Sequence, residues 1–129
     1  MKDTTQQWLD FVNADLRTCQ KLLDDDFLTN IVAFHSQQVI EKCFKAIIEE
    51  RGSQMPRIHT LVRLYGSIQN DLTFNVDNIL LQKLDTVYSI SRYPSDLGLL
   101  PDGKPTKELA LQLYEFAKFI YENTIKMIG

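Results

Sequence analysis

Between Val32 and Ile47 the apolar residues Val32, Val39, Ile40, Cys43, Phe44 and Ile47 recur at helical spacing. That period places them on one face of an α-helix, a face that must find a core. On another side of the same stretch His35, Gln38, Lys42, Lys45 and Glu49 follow steps of three, four, three and four. They form a polar stripe along one edge of the helix. A chain containing this segment buries one side of it and keeps the other for a ligand, a partner or water.

The neighbouring segments repeat the pattern. Trp8, Val12, Leu16, Cys19 and Leu23 mark a helix over about Thr4–Leu23, closed by the acidic triplet Asp24-Asp25-Asp26, which reads as a solvated turn. The second helix is expected to begin near Thr29-Asn30, both good N-cap residues, and to stop at Gly52. Within it Glu41 and Lys45 stand four residues apart in the favourable order, worth about a few tenths of a kcal/mol on an exposed face. A short helix over His59–Ile68 turns Leu61, Leu64, Tyr65 and Ile68 inward, and the polar stretch from Gly66 to Asn75 ends it in a loop. A fourth helix, Val76–Ser91, carries Val76, Leu80, Leu84, Val87 and Ser91 on one stripe and is stopped by Pro94. The loop from Ser95 to Pro105 is dense in proline and glycine. A last helix runs from the cap Thr106 to about Met127, with Leu109, Leu113, Phe116, Ala117, Ile120 and Thr124 on its main face. No segment alternates as a strand does. The expected fold is all-α: an antiparallel up-and-down bundle of four long helices and one short one, with residues 1–129 as one domain.

Composition narrows the function classes. Apolar content of 44% and charged content of 24% are those of an ordinary globular chain. A formal net charge of −3 gives no global field to gather nucleic acid. No apolar run approaches a membrane span, and the polar start Met1-Lys2-Asp3-Thr4-Thr5-Gln6-Gln7 lacks a signal core, so a cytoplasmic location is expected. Cys19 and Cys43 fall on apolar stripes and read as reduced, buried hydrophobes. The last helix carries Tyr114, Phe116, Phe119 and Tyr121 on several sides, more than one bundle face absorbs. This favours a homodimer, with burial inside one chain as the alternative.

Few residues suggest chemistry. His35 and His59, the two histidines, lack zinc-ligand spacing, and no phosphate loop, dinucleotide fingerprint or serine elbow is present. Neither a metal nor a cofactor is expected. The second distinctive stretch is Ser91-Arg92-Tyr93-Pro94-Ser95-Asp96. A guanidinium, a phenol ring and hydroxyls gathered where a helix breaks can hold a phosphate or stack on a base. The competing reading is structural, with Arg92 paired to Asp96 or capping the helix and Tyr93 plugging the bundle end.

The run Phe34-His35-Ser36-Gln37-Gln38 with Ile40-Glu41-Lys42 and Lys45-Ala46 resembles the second helix of the HEPN family. His59-Thr60-Leu61 and Arg92-Tyr93-Pro94 resemble later family features in the same order, so the likeness covers roughly residues 8–127. The resemblance implies a small helical domain related to the C-terminal domain of kanamycin-type nucleotidyltransferases. Such domains often act beside a separate nucleotidyltransferase chain, in pairs of the toxin–antitoxin kind. Ribonuclease members carry an arginine followed by a histidine after four to six residues, brought together in a dimer cleft. From Arg92 that histidine would fall at Leu97, Gly98 or Leu99, and none is there. Catalysis is therefore not expected from that motif. The favoured function is a dimeric nucleotide- or partner-binding module using Arg92, Tyr93, Ser95, His35, Gln38, Lys42 and Lys45. One alternative is a metal-independent ribonuclease toxin with a rearranged site drawn from Arg92, Asp96 and His35; the other is a purely structural helical adaptor.

Overall fold

The computed structural model describes residues 1–91 and 104–129. Its helices are α1 (Asp3–Leu22), α2 (Thr29–Glu50), α3 (Leu61–Ile68), α4 (Asn78–Ser91) and α5 (Lys107–Ile128), with a 3₁₀ turn at Gln69–Asp71 between α3 and α4. No strand occurs among the described residues. The class is all-α, as the apolar periodicity predicts.

Helix α2 is the axis. It packs against each of the other four helices, and Val39, Ile40, Cys43, Phe44, Ala46 and Ile47 along it have no exposed surface. Helix directions follow from paired side chains. Thr5 meets Glu50 and Cys19 meets Ser36, so α1 runs antiparallel to α2. Gln20 meets Tyr114 and Asn13 meets Tyr121, so α1 is also antiparallel to α5. Phe34 stacks on Tyr88 with ring centroids 5.5 Å apart, while Asp85 reaches Leu61 beside the middle of α2, so α4 runs back along it. The four long helices thus alternate up and down around a core formed by Val12, Leu16, Phe44, Leu64, Leu84 and Leu113 with their neighbours.

Local signals explain most of the boundaries. Gly52 takes φ 72°, and the bonds Gly52 N→Glu49 O (3.0 Å) and Ser53 N→Ile48 O (3.2 Å) close α2 in a Schellman turn. The hydroxyl of Thr106 accepts from Leu109 N at 3.1 Å and caps α5. At the other helix starts the expectation needs correction. Helix α2 begins at Thr29, as expected, but neither Thr29 nor Asn30 caps it: the cap position is Leu28, with no side-chain bond. Helix α4 starts at Asn78, after Val76, because the Asp77 carboxylate caps Ile79 N (3.0 Å) and Leu80 N (3.2 Å). Its buried stripe is Leu81, Leu84 and Val87, with Leu80 half-buried and Ile79 exposed. Gly66 does not end α3, which continues to Ile68.

Two further details depart from the sequence reading. Asp26 is an exposed turn residue, yet Lys107 pairs with it at 3.4 Å, and Lys104 donates to Phe27 O at 2.9 Å, which ties the α1–α2 turn to the start of α5. On α5, Tyr114 and Phe116 are buried within the chain, so only Phe119 among its large aromatics is well exposed. Its aromatic surplus is mostly absorbed by α1, α2 and the segment around Phe74. The two cysteines are free and buried.

Candidate functional site

The polar stripe of α2 is only partly open to water: Lys45 is buried, while the side chains of His35 and Lys42 are 25% and 22% exposed. Helix α1 and the segment before α3 cover the rest, and two carboxylates gather its side chains into two clusters.

The first cluster centres on Asp15, a residue the sequence reading passed over. Asp15 follows Val12 and precedes Leu16 on the buried side of α1 and is 7% exposed. A carboxylate there must be paired, which is the signal that marks it. Its Oδ1 lies 2.7 Å from His35 Nδ1 and its Oδ2 lies 2.7 Å from Lys42 Nζ. An ionised carboxylate only accepts, so Nδ1 carries the hydrogen, and Nε2 is the ring nitrogen left for another partner. The imidazole also sits edge-on to Phe34, centroids 5.1 Å apart. Lys42 Nζ lies 5.5 Å from the centroid of the exposed Phe11 ring.

The second cluster centres on Glu41. Lys45 Nζ donates to it at 2.8 Å, His59 Nδ1 lies at 3.1 Å and Gln37 Nε2 at 3.2 Å. Burial pushes the Glu41 carboxyl up, but the bonds from Lys45, His59 and Gln37 outweigh it and hold the group below the usual carboxylate range. The Glu41–Lys45 pair is therefore a buried ion pair, contrary to the exposed one expected, because α1 lays the Trp8 ring 5.9 Å from the ammonium. Gln38 donates to Gln37 Oε1 at 2.8 Å, extending this network instead of standing free. Close by, Asp85 of α4 accepts from Leu61 N (2.9 Å) and Val62 N (3.1 Å) and so caps α3 from another helix. Burial pushes the Asp85 carboxyl up, and the Glu41 charge adds to the push.

Of the residues expected to bind a ligand, the structure brings His35, Gln38, Lys42 and Lys45 to one edge. Lys42 and Lys45 are each matched by a carboxylate there, which removes both from the stock of unpaired cations. Arg92, Tyr93, Ser95 and Asp96 lie outside the described residues. The last described residue of α4, Ser91, comes one turn after Tyr88, whose ring stacks on Phe34 next to His35. Among the described residues no three His, Cys, Asp or Glu side chains converge as a metal site requires, and no helix is long and apolar enough to cross a membrane.

The comparisons with known proteins agree with this architecture. The fold is similar to that in the crystal structure of TT1696 from Thermus thermophilus, with a TM-score of 0.73 at 20% identity, covering 98% of this chain and 99% of that one. No curated protein matches the chain by sequence. The family model described as HEPN domain matches residues 5–128. With the sequence resemblance and the helical architecture in agreement, the chain belongs to the HEPN domain family.

Proposed function

We propose that this HEPN domain is a dimeric binding module for a nucleotide, acting with a separate nucleotidyltransferase chain in a toxin–antitoxin-like pair. The ligand seat is the end of the bundle where α2 begins and α4 ends. One observation carries the reading. His35 is locked by Asp15 through Nδ1 beside the Phe34–Tyr88 stack, at the point from which the chain continues into Arg92, Tyr93 and Ser95. An oriented imidazole nitrogen, aromatic surface and a guanidinium in sequence suit a planar base with an attached phosphate. Because Asp15 and Glu41 match Lys42 and Lys45, the phosphate charge falls chiefly to Arg92.

Calorimetric titration of ATP into wild-type protein, Arg92→Ala and His35→Ala tests this. A charge-assisted hydrogen bond is worth about 1.5–3 kcal/mol, so Arg92→Ala should weaken binding by about tenfold or more. Binding unchanged in Arg92→Ala would remove the site. No binding to wild type would move the function to recognition of a partner protein.

A second reading rests on the same dyad. A carboxylate that fixes the imidazole tautomer also prepares it to take a proton, so His35 with Arg92 and Asp96 would serve a metal-independent ribonuclease. That reading predicts RNA cleavage in chelator, abolished by His35→Ala and by Arg92→Ala. Intact RNA at high protein concentration would refute it.

A further inference from the structure

Gln37 is 1% exposed, and its amide is held on more than one side. The nitrogen donates to Glu41 Oε1 at 3.2 Å and to the carbonyl oxygen of His59 at 3.1 Å. Neither partner has a hydrogen to give: a peptide carbonyl only accepts, and the Glu41 carboxyl, bonded by Lys45, is ionised. Both N–H groups of Gln37 are therefore spent, and turning its amide over would set oxygen against oxygen. Its Oε1 must then meet a donor, and that donor is Gln38 Nε2 at 2.8 Å. The same logic fixes the second amide. Gln38 has to turn its nitrogen inward, which leaves its other N–H and its carbonyl oxygen, and among the described residues no further polar group meets them. Gln38 is half-buried. It stands three residues after His35 and four after Phe34, so this amide edge shares one side of α2 with the imidazole and the Phe34–Tyr88 stack.

We infer that Gln38 reads the base of the nucleotide, that the base is adenine, and that Gln37 is the positioning residue that orients it. The inference rests on the nucleotide reading of the seat and adds which base is taken there. An amide sets one donor beside one acceptor, so it pairs with a base edge that sets one acceptor beside one donor. At positions 6 and 1 guanine is the inverse of adenine, and a glutamine free to turn would take either. Gln38 is held in one orientation by Gln37 and Glu41, much as Asp15 holds His35, and takes one. Adenine is favoured because both of its edges carry the pattern, N6–H beside N1 and N6–H beside N7. Guanine shows two acceptors, O6 and N7, on its second edge. A pyrimidine offers a single ring to the Phe34–Tyr88 stack and so less surface.

Calorimetric titration of ATP, GTP and purine riboside triphosphate, which lacks the 6-amino group, into wild type, Gln38→Ala and Gln37→Met decides the matter. Wild type should bind ATP about tenfold or more tighter than either of the others. Gln38→Ala should bind all three alike. In Gln37→Met the Gln38 amide is free to turn, so the ATP-to-GTP ratio should fall toward one. A merely structural effect of that substitution would weaken every nucleotide together and leave the ratio in place. Equal affinity of wild type for ATP and GTP would overturn the inference while the seat itself stands. A preference for ATP that survives in Gln38→Ala would overturn the role of Gln38, and one that survives in Gln37→Met would overturn that of Gln37. Should Gln37→Met fail to fold, wild type and Gln38→Ala still decide the base. A wild-type protein that binds none of the three would overturn the seat and the inference together.

Discussion

Removing the Glu41 carboxylate tests the buried cluster most directly. The Glu41 and Lys45 side chains are 10% and 8% exposed, so Glu41→Ala leaves an ammonium in a largely dry setting. Breaking such a pair from one side costs about 3–5 kcal/mol. Two features reduce the figure. His59 is 76% exposed and is rehydrated at little cost, and the Lys45 stem can carry its head toward water past Trp8. The expected loss is about 2–3 kcal/mol. Lys45→Met should cost less, about 1 kcal/mol, because Glu41 keeps His59 and Gln37 and the methionine fills the space. The double variant should then be more stable than Glu41→Ala alone. Urea unfolding with an unchanged slope gives these values. pH supplies a second readout. The Glu41 carboxyl is held below 4.5, its ordinary value, so its contribution is fully present above that pH and is lost as pH falls through the lower folded value. The penalty of Glu41→Ala should therefore shrink in acid. A loss under about 0.5 kcal/mol, the range of ordinary surface changes, or one independent of pH would refute the buried pair.

The other predictions concern the α3 cap and the thiols. Asp85→Ala should cost about 1–2 kcal/mol and speed amide exchange at Leu61 and Val62 before the rest of the bundle opens. Its pH sign is opposite to that of Glu41: burial raises the Asp85 carboxyl above 3.8, so its contribution is most favourable in acid and declines as pH rises through the folded value. Burial pushes the Cys19 thiol up to about 11 and the Cys43 thiol up to about 12, so a thiol reagent should label both only as the chain unfolds in urea. Rapid labelling of Cys19 in the native protein at pH 8 would contradict the packing of α1 on α2, and rapid labelling of Cys43 that of α5 on α2.

Helix number, order and class were legible because backbone hydrogen bonding gives every helix the same period, and that period shows wherever one face is apolar. Gly52 and Thr106 were legible for a similar reason, since a left-handed turn and a hydroxyl cap act within a few residues of themselves. Thr29 and Asn30 had the right chemistry for a cap, yet packing carried the helix one residue earlier. The stripe His35, Gln38, Lys42 and Lys45 was also readable as a line on α2, but not what stands opposite it. Asp15 meets His35 across 20 residues and Asp85 meets Leu61 across 24, and nothing local links them. By itself the sequence determined which residues share a helix face. Only the tertiary structure decided that this polar face is partly covered by α1, that Glu41 and Lys45 are a buried pair, and that Asp15 orients His35. Periodicity is a property of one helix, whereas burial and charge pairing depend on the helix packed against it.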